Sequence, residues 1–194
     1  MKLSELFFKY RSYTPVPFVL IMLLYNNSNI WSLIAGVIIA LIGEFIRLWG
    51  VSWAGSETRT TENVGGTNLV VNGPFAHLRN PLYFGNIMMY TGIGIMSFAI
   101  FPWLQIAGLL FFTLQYYMII KEEEGYLRKT FGKQYEDYTL HVRRFLPRLT
   151  AYKLSGNEKG EFSWKEGLSS ERRTFQAFGF IFFTLIIIWF IRRN

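Results

Sequence analysis

The sequence predicts an all-α, polytopic integral membrane bundle of about five transmembrane helices, and three observations carry that prediction. Only 17% of the 194 residues are charged, against roughly a quarter in an ordinary soluble domain, while 51% are hydrophobic and 19% aromatic. The apolar residues fall in long uninterrupted blocks rather than in the short periodic stripes of a soluble amphipathic fold. The charges sit between the blocks, with a net charge of +7, as in loops facing an anionic membrane surface.

Taken in order, Tyr13 to Tyr25 is a short first segment that opens with two prolines. It is expected to be tilted, extended by Leu6 to Tyr10, or re-entrant. Lys2, Lys9 and Arg11 precede it as in a signal peptide, but no small-x-small cleavage site follows Tyr25, so retention is expected. Ile30 to Ala54 is an apolar stretch broken only by Glu44 and Arg47. Its length corresponds to about 37 Å of helix, more than a hydrocarbon core of about 30 Å requires. Pro81 to Phe101 and Pro102 to Ile120 carry no formal charge and are joined almost without a loop, which predicts a tight antiparallel hairpin. Phe175 to Ile191 makes the last span, reached through a polar linker over 149–174 that includes Leu154 to Ser170. The whole of 1–194 reads as one domain with a motif-bearing core at about 47–148.

With five crossings, the N-terminus, Gly55 to Asn80 and Lys121 to Thr174 share one side, and that side holds 17 of the 20 Lys and Arg. Arg11, Arg59, Arg79, Lys121, Arg128, Arg172 and Arg173 all lie near span ends, so the loop-rich side is expected to be cytoplasmic, in an inner or cell membrane if the source is prokaryotic. Zero Cys excludes disulfides, thiolate zinc sites and a Cys nucleophile. With two His and no H-E-x-x-H pattern, no metal centre is expected. The basic residues are dispersed among apolar blocks, so nucleic acid is not the expected partner.

Two polar segments carry candidate chemistry. In the first, Asn72 to Gly85, Gly73-Pro74 is a turn, Asn80 is a favoured N-cap and Pro81 sits at the first helical position. Arg79 is the anomaly, because a cation at a helix N-terminus opposes the macrodipole. It calls for an anion between its guanidinium and the free N–H groups, or for a lipid headgroup. In the second, Glu122, Glu123 and Glu124 crowd together at a membrane exit where a cytoplasmic boundary favours Lys or Arg. Either the helix continues to Thr130 with Glu124 paired to Lys121 and Arg128, or Glu123 or Glu124 holds a cation or a pair of hydroxyls. Beyond it, Tyr135, Tyr138 and Val142 recur at helical spacing up to Pro147, a short amphipathic helix. Arg144 by itself reads as interfacial packing. Glu44 and Arg47 are three apart and close enough to pair inside their span, as a site or a tether between helices, with Trp49 and Trp53 as interfacial anchors.

Together these segments resemble the isoprenylcysteine carboxyl methyltransferase family and its phospholipid methyltransferase relatives, integral membrane enzymes that use S-adenosylmethionine. The family's glycine-aromatic turn and Arg-His-Pro-x-Tyr run are similar to Gly73-Pro74-Phe75 and Arg79-Asn80-Pro81-Leu82-Tyr83. Its Glu-Glu, Phe-Gly, Tyr, Tyr, Arg, Pro series is similar to Glu123-Glu124, Phe131-Gly132, Tyr135, Tyr138, Arg144 and Pro147. The resemblance spans roughly Arg47 to Arg148 and leaves the last helix unassigned. The family's His is Asn80 here, so a titrating role does not carry over.

The resemblance implies a cytoplasmic-side pocket for S-adenosylmethionine, leaving S-adenosylhomocysteine as product, lined by Gly73, Phe75, His77, Arg79, Asn80, Pro81, Tyr83, Glu123, Glu124, Tyr135 and Tyr138. It implies Arg144, Asn80 and Tyr83 as the residues nearest the chemistry, and a lipid or prenylated small molecule as acceptor, with its tail between the helices. Arg79 or Arg144 suits the cofactor carboxylate, Glu123 or Glu124 its diol or ammonium, and a tyrosine face its sulfonium. Gly92 and Gly94 resemble a glycine pair associated with cofactor binding, and equally suit close helix packing. If the acceptor is an amine, His77, His141 or a Glu is the candidate base. The alternatives are an NADPH-dependent membrane reductase of the sterol-reductase type and a non-catalytic membrane scaffold.

Overall fold

The computed structural model describes residues 3–55, 69–153 and 161–193. Among these the regular structure is helical: α1 (Leu3–Tyr10), α2 (Pro15–Leu24), α3 (Ile30–Ala54), α4 (Pro81–Ser97), α5 (Trp103–His141) and α6 (Trp164–Arg193), with a 3-10 turn at Gly73–Ala76. Arg59 and residues 154–160 of the expected linker lie outside the described residues.

Helix α3 begins and ends where its apolar pattern does. Asn29 opens it with a capping box, its side chain accepting from the backbone of Trp31 and Ser32 while the Ser32 hydroxyl accepts from Asn29 N–H. Helices α3 and α4 cross closely because both carry glycine at seven-residue spacing. A Cβ at Gly36 would sit 2.4 Å from the Gly92 carbonyl oxygen, and one at Gly43 would sit 2.6 Å from that of Gly85. In lipid, where no hydrophobic force drives helices together, such backbone approach supplies the packing. Gly92 is therefore part of the helix crossing, whereas Gly94 faces Met22 and Gln105.

Among the described residues three helices are long and apolar enough to cross a membrane, α3, α5 and α6, rather than about five. Helix α4 stops at 17 residues because Phe98 turns left-handed, at φ 49°, to start the short connection to α5. Helix α2 has 10 residues, about 15 Å, bounded by its prolines and the polar run Asn26 to Asn29. The chain still reaches the far end beside α4, where Asn27 N–H donates to the Ser97 carbonyl. The outward residues of the long helices, Ile38, Leu41 and Phe45 on α3, Leu110 and Leu114 on α5, and Phe180, Phe183 and Phe190 on α6, are exposed. So much contiguous apolar surface belongs in lipid, and the chain is an integral membrane protein.

One element departs from expectation and another extends as the sequence allowed. Helix α6 starts at Trp164, so 164–174 is helix rather than linker, and it packs mainly on α3. Helix α5 runs on past Ile120 and Glu124, the continuation through Thr130 that the sequence left open, with a break at Gly132, φ 50° and ψ −126°. Tyr135, Tyr138 and Val142 form the buried face of the stretch beyond that break, packed back on Leu127 and Phe131.

Candidate active site

The site is assembled by the reversal at Gly132. Twenty residues of unbroken helix would separate Glu124 from Arg144 by about 30 Å, yet the two meet. Arg144 Nε donates to Glu124 Oε1 at 2.9 Å and Nη2 donates to Oε2 at 2.6 Å, a fork-on-carboxylate pair. Arg79 Nη2 stands 3.2 Å from Glu124 Oε1, and Arg128 Nη2 reaches Oε2 at 3.8 Å. Glu124 is 2% exposed, so its charge is neutralised inside the protein by arginines from three parts of the chain. The contact with Glu124 raises the affinity of the Arg144 guanidinium for its proton above the usual arginine range.

This arrangement revises two expectations. The anion that Arg79 needs is Glu124 itself, and a second guanidinium N–H donates to the Thr139 carbonyl at 3.1 Å. Arg144 is no mere packing residue, since it grips the central carboxylate. Of the helical pairs expected for Glu124, the Arg128 contact is present.

Around this hub the two sequence segments interlock. Tyr138 OH donates to the Phe75 carbonyl at 2.7 Å, Arg79 N–H to the Arg143 carbonyl at 2.9 Å and Arg148 N–H to the His77 carbonyl at 2.9 Å. Tyr135 and Tyr138 are buried, their ring centroids 6.0 Å apart. Gly73 has φ 59°, and a Cβ there would strike the Trp53 ring at 2.1 Å, so only glycine fits the turn that presents Phe75 and His77. Trp53 thus packs into the site wall and Trp49 lies beside the His77 ring. His77 Nδ1 lies 2.9 Å from the Arg148 carbonyl, which can only accept, so Nδ1–H is the donor and the ring is held in one orientation.

At the start of α4, Asn80 occupies the N-cap position and Pro81 the first helical one, but the Asn80 side chain makes no capping bond. Its Nδ2, like Arg79 Nε, is buried without a protein partner. One turn on, Tyr83 OH donates to Glu123 Oε1 at 2.5 Å, and its ring packs on Tyr116 at 4.8 Å. Glu123 and Glu124 therefore serve different partners. Outside the helices, Tyr152 donates to Asp137, which pushes its phenol up to about 12.

A second charged centre lies deeper, between α3, α4 and α6. Arg47 Nη2 donates to both carboxylate oxygens of Glu171, at 2.9 and 2.8 Å, and Nη1 donates to Asn86. The expected partner Glu44 is at 3.6 Å. Glu171 and Asn86 were not legible as partners. Glu171 lies one turn from Gly167 on the buried face of α6, where a Cβ at Gly167 would lie 2.0 Å from Ser52 Oγ. Among the described residues no group of three metal-ligating side chains converges.

Residues 31–134 match the phospholipid methyltransferase family. The chain is 29% identical over 163 residues to the cobalt-zinc-cadmium resistance protein CzcN of Cupriavidus metallidurans, covering 81% of this chain and 69% of that one. It is 28% identical to the nickel-cobalt-cadmium resistance protein NccN of Alcaligenes xylosoxydans xylosoxydans, covering 71% of this chain and 63% of that one. It is 32% identical over 131 residues to the protein-S-isoprenylcysteine O-methyltransferase of Tribolium castaneum, covering 64% of this chain and 44% of that enzyme. The chain thus spans about two thirds of the resistance proteins and less than half of the O-methyltransferase. No solved structure matches it significantly.

Proposed function

The chain belongs to the phospholipid methyltransferase family, and on that premise we propose that it moves a methyl group from S-adenosylmethionine to the polar head of a lipid-like acceptor. That acceptor is a phospholipid amine or an isoprenylcysteine carboxylate, met from the cytoplasmic side. The observation that carries the reading is the convergence of two remote polar segments on Glu124 at the end of the membrane span. A scaffold has no need to bury three guanidinium contacts on one carboxylate beside two unpartnered donors.

The residues present fit the cofactor. Asn80 Nδ2 and Arg79 Nε are buried donors without protein partners, beside the α4 N-terminus, and a carboxylate satisfies such groups. When bound, S-adenosylmethionine supplies an electrophilic methyl group on a sulfonium. Asn80 and Arg79 hold the cofactor's carboxylate, while Glu124, saturated by arginines, acts as the post that fixes Arg79 and Arg144. Glu123, oriented by Tyr83, is the carboxylate left for an ammonium or diol. Gly73, Phe75, Pro81, Tyr135 and Tyr138 shape the wall and exclude water, which leaves alignment as the main source of acceleration.

Arg144 keeps 27% of its side chain exposed and meets the anionic oxygen of the acceptor head. His77, its ring oriented through Nδ1 by the Arg148 carbonyl, is the base that takes the proton of an amine acceptor. The test is transfer from methyl-labelled S-adenosylmethionine in proteoliposomes containing phosphatidylethanolamine or a farnesylated cysteine. Label is expected in one lipid-soluble product and is lost in Arg144→Ala; no label in either acceptor contradicts the reading.

A further inference from the structure

After the reversal at Gly132 the chain runs back toward the membrane. Arg144 lies over the Tyr117 ring at 5.3 Å, one helical turn before Lys121, the first charge beyond the apolar run of α5. Phe145 packs against the cluster of Ile87, Phe112, Tyr116, Ile119 and Ile120, which belongs to the apolar parts of α4 and α5. The segment that follows is held at that height by backbone bonds, Arg148 N–H to the His77 carbonyl at 2.9 Å and Tyr152 N–H to the Ala76 carbonyl at 3.0 Å.

What the segment presents outward does not suit water. Leu146 is 58% exposed and Leu149 99% exposed, with exposed Pro147 between them. Two leucines so exposed are ordinary on a water-soluble loop only one at a time and away from other apolar surface. The flanking charge has one sign: Val142 to Lys153 contains Arg143, Arg144, Arg148 and Lys153 and no acidic residue. Arg143 and Lys121 are exposed. An apolar tip with a basic rim is complementary to anionic headgroups over acyl chains.

We propose that residues 143–149 form a membrane-interface wedge in which Leu146 and Leu149 enter the acyl boundary and Arg143 and Lys121 hold the phosphates of anionic lipids. The bonds to residues 76–79 tie that lipid contact to the segment that precedes Asn80. The proposal needs no methyl transfer, so it stands or falls separately from the function above.

The natural chain has no cysteine, so single-cysteine variants Leu146→Cys, Leu149→Cys and, as an aqueous reference, Lys133→Cys can each carry one nitroxide. The protein is placed at one copy per nanodisc, in phosphatidylcholine with or without phosphatidylglycerol. Labels at 146 and 149 should collide with oxygen several-fold more than with a water-soluble nickel chelate, and the label at 133 should do the reverse. Phosphatidylglycerol should deepen the 149 label, and adding Arg143→Gln should reduce that response. Water-accessible labels at both 146 and 149, in variants whose gel-filtration profile matches the parent, overturn the wedge. Shielding seen only in discs with two copies assigns the surface to a second copy and also overturns it. A 149 label that ignores phosphatidylglycerol overturns the anionic-lipid part.

Discussion

Arg144 and Glu124 face each other through two parallel hydrogen bonds, of 2.9 and 2.6 Å, across a chain reversal. The pair closes the loop between the membrane span and the returning helix, and Arg79 joins it from the start of α4. Removing the carboxylate leaves buried guanidinium charge without its counter-ion, which costs about 3–5 kcal/mol. Glu124→Gln is therefore expected to lower the thermal midpoint and to abolish S-adenosylhomocysteine binding in the fraction that remains folded. Wild-type affinity in that variant removes Glu124 from the site.

Geometry, and not charge alone, should matter at position 144. Lysine keeps the cation but cannot form the two-point contact that fixes Glu124; with that post loosened Arg79 is held less well, so Arg144→Lys should weaken S-adenosylhomocysteine binding by about tenfold, equivalent to about 1.4 kcal/mol. Arg128, half exposed at 3.8 Å from the same carboxylate, is worth about 0–1 kcal/mol. Arg128→Ala should leave affinity within about threefold of wild type by the same titration.

The glycines of α4 separate packing from binding. A Cβ at Gly92 would lie 2.6 Å from the Ala40 nitrogen and the Gly36 carbonyl oxygen, both backbone, so α3 and α4 must move apart. At Gly94 the nearest atom is the flexible end of Met22, at 3.3 Å. Gly92→Ala should lower the midpoint of thermal unfolding in detergent, while Gly94→Ala should keep both stability and S-adenosylhomocysteine affinity. Loss of binding in a stable Gly94→Ala protein would reassign that glycine to the cofactor.

Helix α6 lies outside the region matched by the family and is anchored by Glu171 on Arg47. Glu171→Gln should destabilise by about 3–5 kcal/mol, because it leaves a buried guanidinium under-compensated. A double-mutant cycle with Arg47→Met, read by thermal unfolding, should show coupling above about 1 kcal/mol. Additive effects would mean that α6 is held by lipid and packing alone.

His77 is expected to act on the acceptor rather than on the cofactor. His77→Gln should keep S-adenosylhomocysteine affinity and lose about 10²-fold or more in turnover of an amine acceptor. Turnover of a carboxylate acceptor, which needs no base, should fall far less; equal losses on both would make the residue structural.

Much of this was readable from residue order because it is local. The bounds of α3 coincide with its apolar block, and Asn80-Pro81 marks the start of α4. The residues of the site were legible as two charge anomalies, Arg79 at a helix start and three glutamates at a membrane exit. That the two anomalies neutralise each other was not, because it depends on a turn at one glycine, Gly132, within an otherwise continuous helical pattern. Glu171 was hidden for the same kind of reason. It sits among polar residues that look like a linker, and its partner Arg47 is over a hundred residues away. The shortness of α2 was readable from its prolines and the polar run after Tyr25, whereas that of α4 escaped a count of apolar residues, since a left-handed Phe98 ends it early.

A site for S-adenosylmethionine at the Arg79, Glu124 and Arg144 cluster, with Asn80 beside it, is open to direct measurement. Calorimetric titration of the detergent-purified protein with S-adenosylhomocysteine, with NADPH as the control ligand, tests it most directly. Saturable one-site binding of S-adenosylhomocysteine, lost in Glu124→Gln, is expected, with no heat from NADPH. Silence toward S-adenosylhomocysteine would contradict it: with NADPH binding the chain would be a reductase, and with neither ligand binding, a scaffold.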